Sequence, residues 1–210
     1  FEKSDDGEVT QVAKLVAADG AAGDLFGITV SVSGSTIVVG AFRDDDKGSN
    51  SGSAYVFEKS DDGEWAQATK LVADDGASAD YFGRSVSVSG SSIVVGAFQD
   101  KHDKGSYSGS AYVFEKIDGG GWAQAAKLVA ADAAASDYFG THVSVSDSTI
   151  VVTAYGDDDK GSSSGSAYVF EKSDDGEVTQ VAKLVAADGA AGDLFGITVS
   201  VSGSTIVVGA

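Results

Sequence analysis

The string Asp24-Leu25-Phe26-Gly27 recurs as Asp80-Tyr81-Phe82-Gly83, Asp137-Tyr138-Phe139-Gly140 and Asp193-Leu194-Phe195-Gly196, at spacings of 56, 57 and 56 residues. Such a period restricts the chain to one supersecondary unit used repeatedly, each copy burying its apolar face against the next. Every copy continues in the same order: a VSVS segment, a turn, an IVV run, an acidic loop, SGSAYVFEK, a DDG or GGG turn and a closing KLVA segment. The units are 24–79, 80–136 and 137–192; residues 1–23 end a preceding unit and 193–210 begin a fourth. A second period lies over the first. Residues 170–210 repeat 1–41 letter for letter, although neighbouring units differ at many positions. The chain starts within one AYVF segment, contains no methionine and stops after an IVVGA segment. It reads as a window onto a longer, nearly periodic polypeptide, with any targeting segment outside the window.

Each unit resolves into strands. Val30-Ser31-Val32-Ser33 alternates apolar and polar, the pattern of a half-buried strand, and Gly34-Ser35 supplies a turn. Ile37-Val38-Val39 is a β-branched run suited to burial on both faces. Residues 53–58 form a third strand, Asp61-Asp62-Gly63 a tight turn, and 65–72 a fourth strand. The fold class is therefore all-β: tandem four-stranded antiparallel sheets of propeller-blade size, stacked as an open superhelical array or closed as a β-propeller. The alanine-rich stretch QVAKLVAADGAAGD competes as a helix, but it is short, glycine-interrupted and sits where the outer strand belongs. Phe26, Phe82, Phe139 and Phe195 are expected between adjacent sheets, and Tyr55, Tyr112 and Tyr168 in the packing of the third strand.

The formal net charge is −18, from 32 acidic and 14 basic residues. A surface of that sign repels phosphate backbones, which excludes nucleic acid as a partner class, and it attracts divalent cations. No apolar stretch reaches the length of a membrane-spanning helix. Without cysteine there is neither a disulfide nor a thiolate site. The two histidines, His102 and His142, do not recur between units, and the serines are repetitive and turn-like. A catalytic site is usually a singular feature and this chain is nearly periodic, so the expectation is no enzyme and no required cofactor.

The string Asp-(Leu/Tyr)-Phe-Gly, followed by VSVS and by IVVGA, resembles the FG-GAP repeat, which builds the blades of integrin α-subunit propellers. The Phe-Gly element stands at Phe26-Gly27, Phe82-Gly83, Phe139-Gly140 and Phe195-Gly196, and the Gly-Ala element at Gly40-Ala41, Gly96-Ala97 and Gly209-Ala210. Its proline is replaced by Phe42 and Phe98, and the third unit departs further with Thr153-Ala154-Tyr155. The downstream SGSAYVF looks like the variant found in large surface proteins. The resemblance implies an extracellular or cell-surface location and an adhesive or structural role. Integrin-type blades often carry an Asp-x-Asp-x-Asp-Gly calcium loop. By that resemblance Asp44, Asp46, Asp100, Asp103, Asp157 and Asp159 are the candidate calcium ligands. Their consecutive spacing and the adjoining lysine fit that geometry poorly, so a solvated acidic turn competes.

The serine-rich segments after these aspartates read as flexible connections, and as candidate O-glycosylation sites at Ser49, Ser51, Ser106, Ser108, Ser162, Ser163 and Ser164. Two functions remain. One is the structural repeat protein of an extracellular filament or surface appendage, self-associating or continuing the same array. The other is a closed propeller that binds a protein or glycan ligand. Three complete units, with most of a fourth unit's third strand missing, favour the open array.

Overall fold

The computed structural model describes residues 1–101 and 104–210, and these form sixteen strands. The first complete sheet is β3 (Val30–Ser33), β4 (Thr36–Ala41), β5 (Ser53–Lys59) and β6 (Trp65–Leu71), hydrogen-bonded in that order. The second is β7 (Ser85–Ser89), β8 (Ser92–Ala97), β9 (Ser110–Lys116) and β10 (Trp122–Leu128). The third is β11 (Val143–Ser146), β12 (Thr149–Ala154), β13 (Ser166–Lys172) and β14 (Val178–Leu184). Two hairpins flank them: β1 (Glu2–Lys3) with β2 (Val9–Thr10), and β15 (Thr198–Ser202) with β16 (Thr205–Gly209). All pairings between these strands are antiparallel. Among the described residues there is no helix, so none long and apolar enough to cross a membrane. The stretch that competed as a helix occurs at 11–24, where it contains turns and no strand, and at 180–193, where it is strand through Leu184 and turns beyond it.

The sheets stack face to face. Val38 and Val56 of the first sheet share one apolar cluster with Phe82, Val86, Val88 and Val95 of the second. Val94 and Val113 pack likewise on Phe139, Val143, Val145 and Val152 of the third. The core therefore lies between units, and a single blade would leave it in water. Phe82 and Phe139 are buried there, each edge-on to two rings of its own third strand: Tyr112 and Phe114, Tyr168 and Phe170.

The serines of the alternating first strand couple neighbouring units. Ser31 and Ser33 accept from the amides of Val88 (3.1 Å) and Gly90 (3.2 Å). Ser87 and Ser89 accept from Val145 and Asp147, and Ser144 and Ser146 from Val201 and Gly203, all at 3.0–3.1 Å. One face of the VSVS segment thus fills the apolar layer, while the other satisfies main-chain donors of the next unit. Ser87→Ala or Ser144→Ala is expected to cost about 1–2 kcal/mol, because a part-buried amide loses its acceptor. Urea unfolding of each variant measures this.

Candidate functional site

The acidic loop leaves the Gly-Ala end of the second strand, and it is not an open turn. Asp44 is buried, and so is Tyr55 on β5. The Tyr55 hydroxyl, with one proton to give, lies 2.9 Å from Asp19 Oδ1 and 3.0 Å from Asp44 Oδ2. Lys70, from β6, brings its ammonium to 2.8 Å from Asp19, 3.0 Å from Asp44 and 2.5 Å from Asp46. The third unit repeats the cluster: Lys183 lies 2.7, 2.9 and 2.6 Å from Asp132, Asp157 and Asp159, beneath Tyr168. In the second unit Lys127 meets Asp75 (2.5 Å) and Asp100 (2.8 Å), with the Tyr112 hydroxyl 2.9 Å from each carboxylate. The remaining candidate there, Asp103, falls outside the described residues, as does the neighbouring His102.

Three carboxylates converge, as a divalent ion would require, and oxygens of Asp132, Asp157 and Asp159 lie within 4.8 Å of one another. A lysine ammonium touches all three. Alternate residues supply the convergence: Asp44 and Asp46 face Lys70, while Asp45 turns away and accepts from the Asn50 amide at 2.7 Å. The lysine next to the aspartates in sequence, Lys47, is exposed. The lysine that matters is a full strand away, and its recurrence as Lys70, Lys127 and Lys183 in the KLV segment was the available signal. Burial pushes Asp44 and Asp157 upward, but Lys70 and Lys183, with further hydrogen bonds, outweigh it and hold both below the ordinary carboxylate value. Burial also works against the charge on Lys70 and Lys183, and their three carboxylates override it and raise both.

The serine-rich segments are fastened rather than flexible. Carbonyls of Ser49, Asn50 and Ser51 accept from the amides of Ala79, Tyr81 and Phe82 at 2.8–3.2 Å, so each loop clasps the Phe-Gly segment of the next unit. Ser162, Ser163 and Ser164 do the same for Gly192, Leu194 and Phe195. Ser51, Ser108 and Ser164 are buried, their hydroxyls bonded within the loop. These three candidates for O-glycosylation are thus covered in the folded chain. Ser49, Ser106 and Ser162 are exposed. The residue before each Phe-Gly stands at positive φ, +57° at Leu25, +56° at Tyr81, +57° at Tyr138 and +58° at Leu194, a conformation bulky side chains avoid.

Asp80 and Asp137, which open the Phe-Gly segments, are buried and accept from the amides of Ala77 and Ala134. Burial pushes both carboxyls up to about 6, against the pull of those amides. Their ordinary value is 3.8, so the folded chain binds protons more tightly than the unfolded chain between those pH values, and stability falls as pH rises through that window. Asp44 and Asp157 act oppositely, and their contribution disappears as the pH drops below the ordinary carboxylate range. Thermal unfolding is therefore expected to give a higher midpoint at pH 5 than at pH 7, and a falling one in stronger acid. Asp80→Asn keeps the acceptor for Ala77, and it is expected to raise the midpoint at pH 7 and flatten the slope between pH 5 and 7.

A row of half-buried rings, Phe42, Tyr81, Phe98, Tyr138 and Tyr155, crosses the unit boundaries on the same edge, with centroids 5.1–6.1 Å apart. The chain's two arginines, Arg43 and Arg84, both lie over Phe42, at 5.9 and 5.7 Å. His142 is half-buried, and burial and then Arg84 hold its pKa below the ordinary value. The sequence reading missed this row, although aromatic residues at 42, 98 and 155, and at 81 and 138, occupy equivalent places.

A family model described as the FG-GAP repeat matches residues 9–57, 65–114, 122–170 and 178–210. No curated protein matches the chain.

Proposed function

This chain belongs to the FG-GAP repeat family, and on that premise we propose that it is a structural repeat protein whose blades stack as an open array in an extracellular filament or surface appendage. One observation carries the reading: the two joints between complete units are built from the same parts. At each, first-strand serines accept from the next unit's first-strand amides, as they also do at the joint after the third unit. A third-strand lysine also reaches back to a glutamate of the preceding unit, as Lys116 to Glu58 (2.8 Å) and Lys172 to Glu115 (2.9 Å), and as Lys59 to Glu2 (2.6 Å) at the joint before the first unit. A joint that recurs unchanged propagates without a natural stop, which is what a filament needs. The tethered ammonium in each unit supports the reading further, since it neutralises the acidic loops from within the chain. The extracellular location rests on where such repeats usually occur.

A second reading, an adhesion propeller that binds a protein or glycan, is favoured by the ring row with its two arginines, which stand at positions that differ between the units. Electron microscopy of the native material separates the two. Filaments are expected, and discrete discs would overturn the structural reading in favour of the adhesive one.

A further inference from the structure

In a chain of net charge −18 any cation has carboxylates at hand, and the lysines use them: Lys59, Lys70, Lys116, Lys127, Lys172 and Lys183 all stand in ion pairs. The two arginines do not. Among the described residues neither guanidinium meets a carboxylate or donates a hydrogen bond to the chain. Both are held over the ring of Phe42 instead, so two like charges lie near each other with their donors free. The acids next to Arg43 in sequence are engaged elsewhere: Asp44 and Asp46 with Lys70, and Asp45 with the Asn50 amide. From Phe42 the ring row continues through Tyr81 and Phe98 of the second unit to Tyr138 and Tyr155 of the third, and so crosses two joints. Tyr81, Arg84 and Phe98 belong to the middle unit and are only half-buried with a complete unit on either side, so this edge stays open within the array.

We propose that this row is the binding strip for an extended acidic polysaccharide, whose uronate carboxylates pair with Arg43 and Arg84 while the C–H faces of its sugar rings lie along the aromatic side chains. Three features define the class. A guanidinium presents paired N–H donors that match a carboxylate, and the neighbouring ring excludes water from one side of that pair and so strengthens it. The half-buried rings stand just beyond the ends of strands, as Phe42 after β4 and Phe98 after β8, and not along a sheet edge where a peptide could add as a strand. They offer apolar carbon, which suits a pyranose face, in a row across three units, which suits a chain and not a single small anion. One carboxylate per sugar is a sparse charge, tolerated by a chain of net charge −18 that repels the dense phosphates of nucleic acid. The glycan is taken from the adhesive reading above, yet the strip needs no closed ring. Discs or filaments in the microscope therefore leave it standing, and a chain that binds no polysaccharide leaves the filament standing.

Isothermal titration calorimetry of the 210-residue chain with oligogalacturonate at low salt tests this, with neutral maltodextrin and polyglutamate of similar length as comparisons. Oligogalacturonate is expected to bind, and to bind more weakly as salt rises. The other two are expected to bind on the order of 10-fold more weakly, each lacking either the charge or the sugar face. Arg43→Gln and Arg84→Gln should each weaken oligogalacturonate on the order of 10-fold, through loss of one charge-assisted contact. Phe98→Leu keeps the apolar bulk without the ring, and it should weaken binding to a smaller extent. Lys3→Gln removes an equal charge from an exposed position at the other end of the blade and should change nothing. Neither guanidinium has a hydrogen-bond partner in the chain among the described residues, so the arginine variants keep their fold, which circular dichroism verifies. Maltodextrin bound as tightly as oligogalacturonate would leave the guanidiniums without a role. Polyglutamate bound as tightly would make the strip a site for acidic peptides, and Lys3→Gln as damaging as Arg84→Gln would reduce the binding to net charge. Any of these results, or no binding of oligogalacturonate, would overturn the proposal.

Discussion

Lys183→Met is expected to destabilise the chain by about 3–5 kcal/mol, the range found when one partner of a buried ion pair is removed and the other charge is left behind. The side chain of Asp157 is only 7% exposed and keeps its Ser166 and Tyr168 partners, but Asp132 and Asp159 stand close by, and without the ammonium their charges repel. The same variant is expected to become sensitive to calcium. With the lysine nitrogen gone, three carboxylates within reach of one point are left without a cation, so millimolar calcium should recover part of the lost melting temperature. The unaltered chain should melt at the same temperature in calcium and in chelator. Differential scanning calorimetry of both proteins in both buffers provides the four midpoints. A calcium-dependent midpoint in the unaltered chain would mean that the ion displaces the lysine, and the internal-cation account would fail.

Gly140→Ala should be at least as costly, about 3–5 kcal/mol, and should loosen one joint before the rest of the chain. Gly140 has φ +89°, and a Cβ there would run into the Ser110 carbonyl oxygen of its neighbour. Gly109 opposes it, and its own Cβ would meet the Phe139 carbonyl. The two backbones therefore pass at a distance that only glycine permits, and both partners are main chain, so nothing can swing aside. Hydrogen exchange should show the peptides around 106–110 and 136–141 losing protection together in the variant. A variant as stable as the parent would mean that the second and third units are less closely joined than described.

The repeat, its strands and the burial of Phe82 and Phe139 were legible because they rest on period and alternation, which the sequence displays directly. The acidic loops were legible only in part. Asp44, Asp100 and Asp157 stood out, yet each is neutralised by a lysine at the far end of the same unit, which also pairs with an aspartate from the connector before it. Those partners are brought together by a tertiary turn, and no local spacing encodes them. The serine loops misled for a similar reason. Small polar residues usually mark mobile connections, whereas the carbonyls of Ser49, Asn50 and Ser51 are held by amides of the next unit. In a repeat protein the contacts of one unit are half written in the next, and comparing equivalent positions recovers what a local window does not.

The central claim is that stability resides in identical joints between open-ended blades. Its most direct test is the unfolding free energy of chains carrying two, three, four, five, six and eight units, measured in urea at one temperature. An open array gains one joint per added unit, so the free energy should climb steadily with unit number and show no preferred length. A closed propeller would instead give a sharp maximum at the number of blades that completes the ring and a fall on either side of it, and that result would contradict the account.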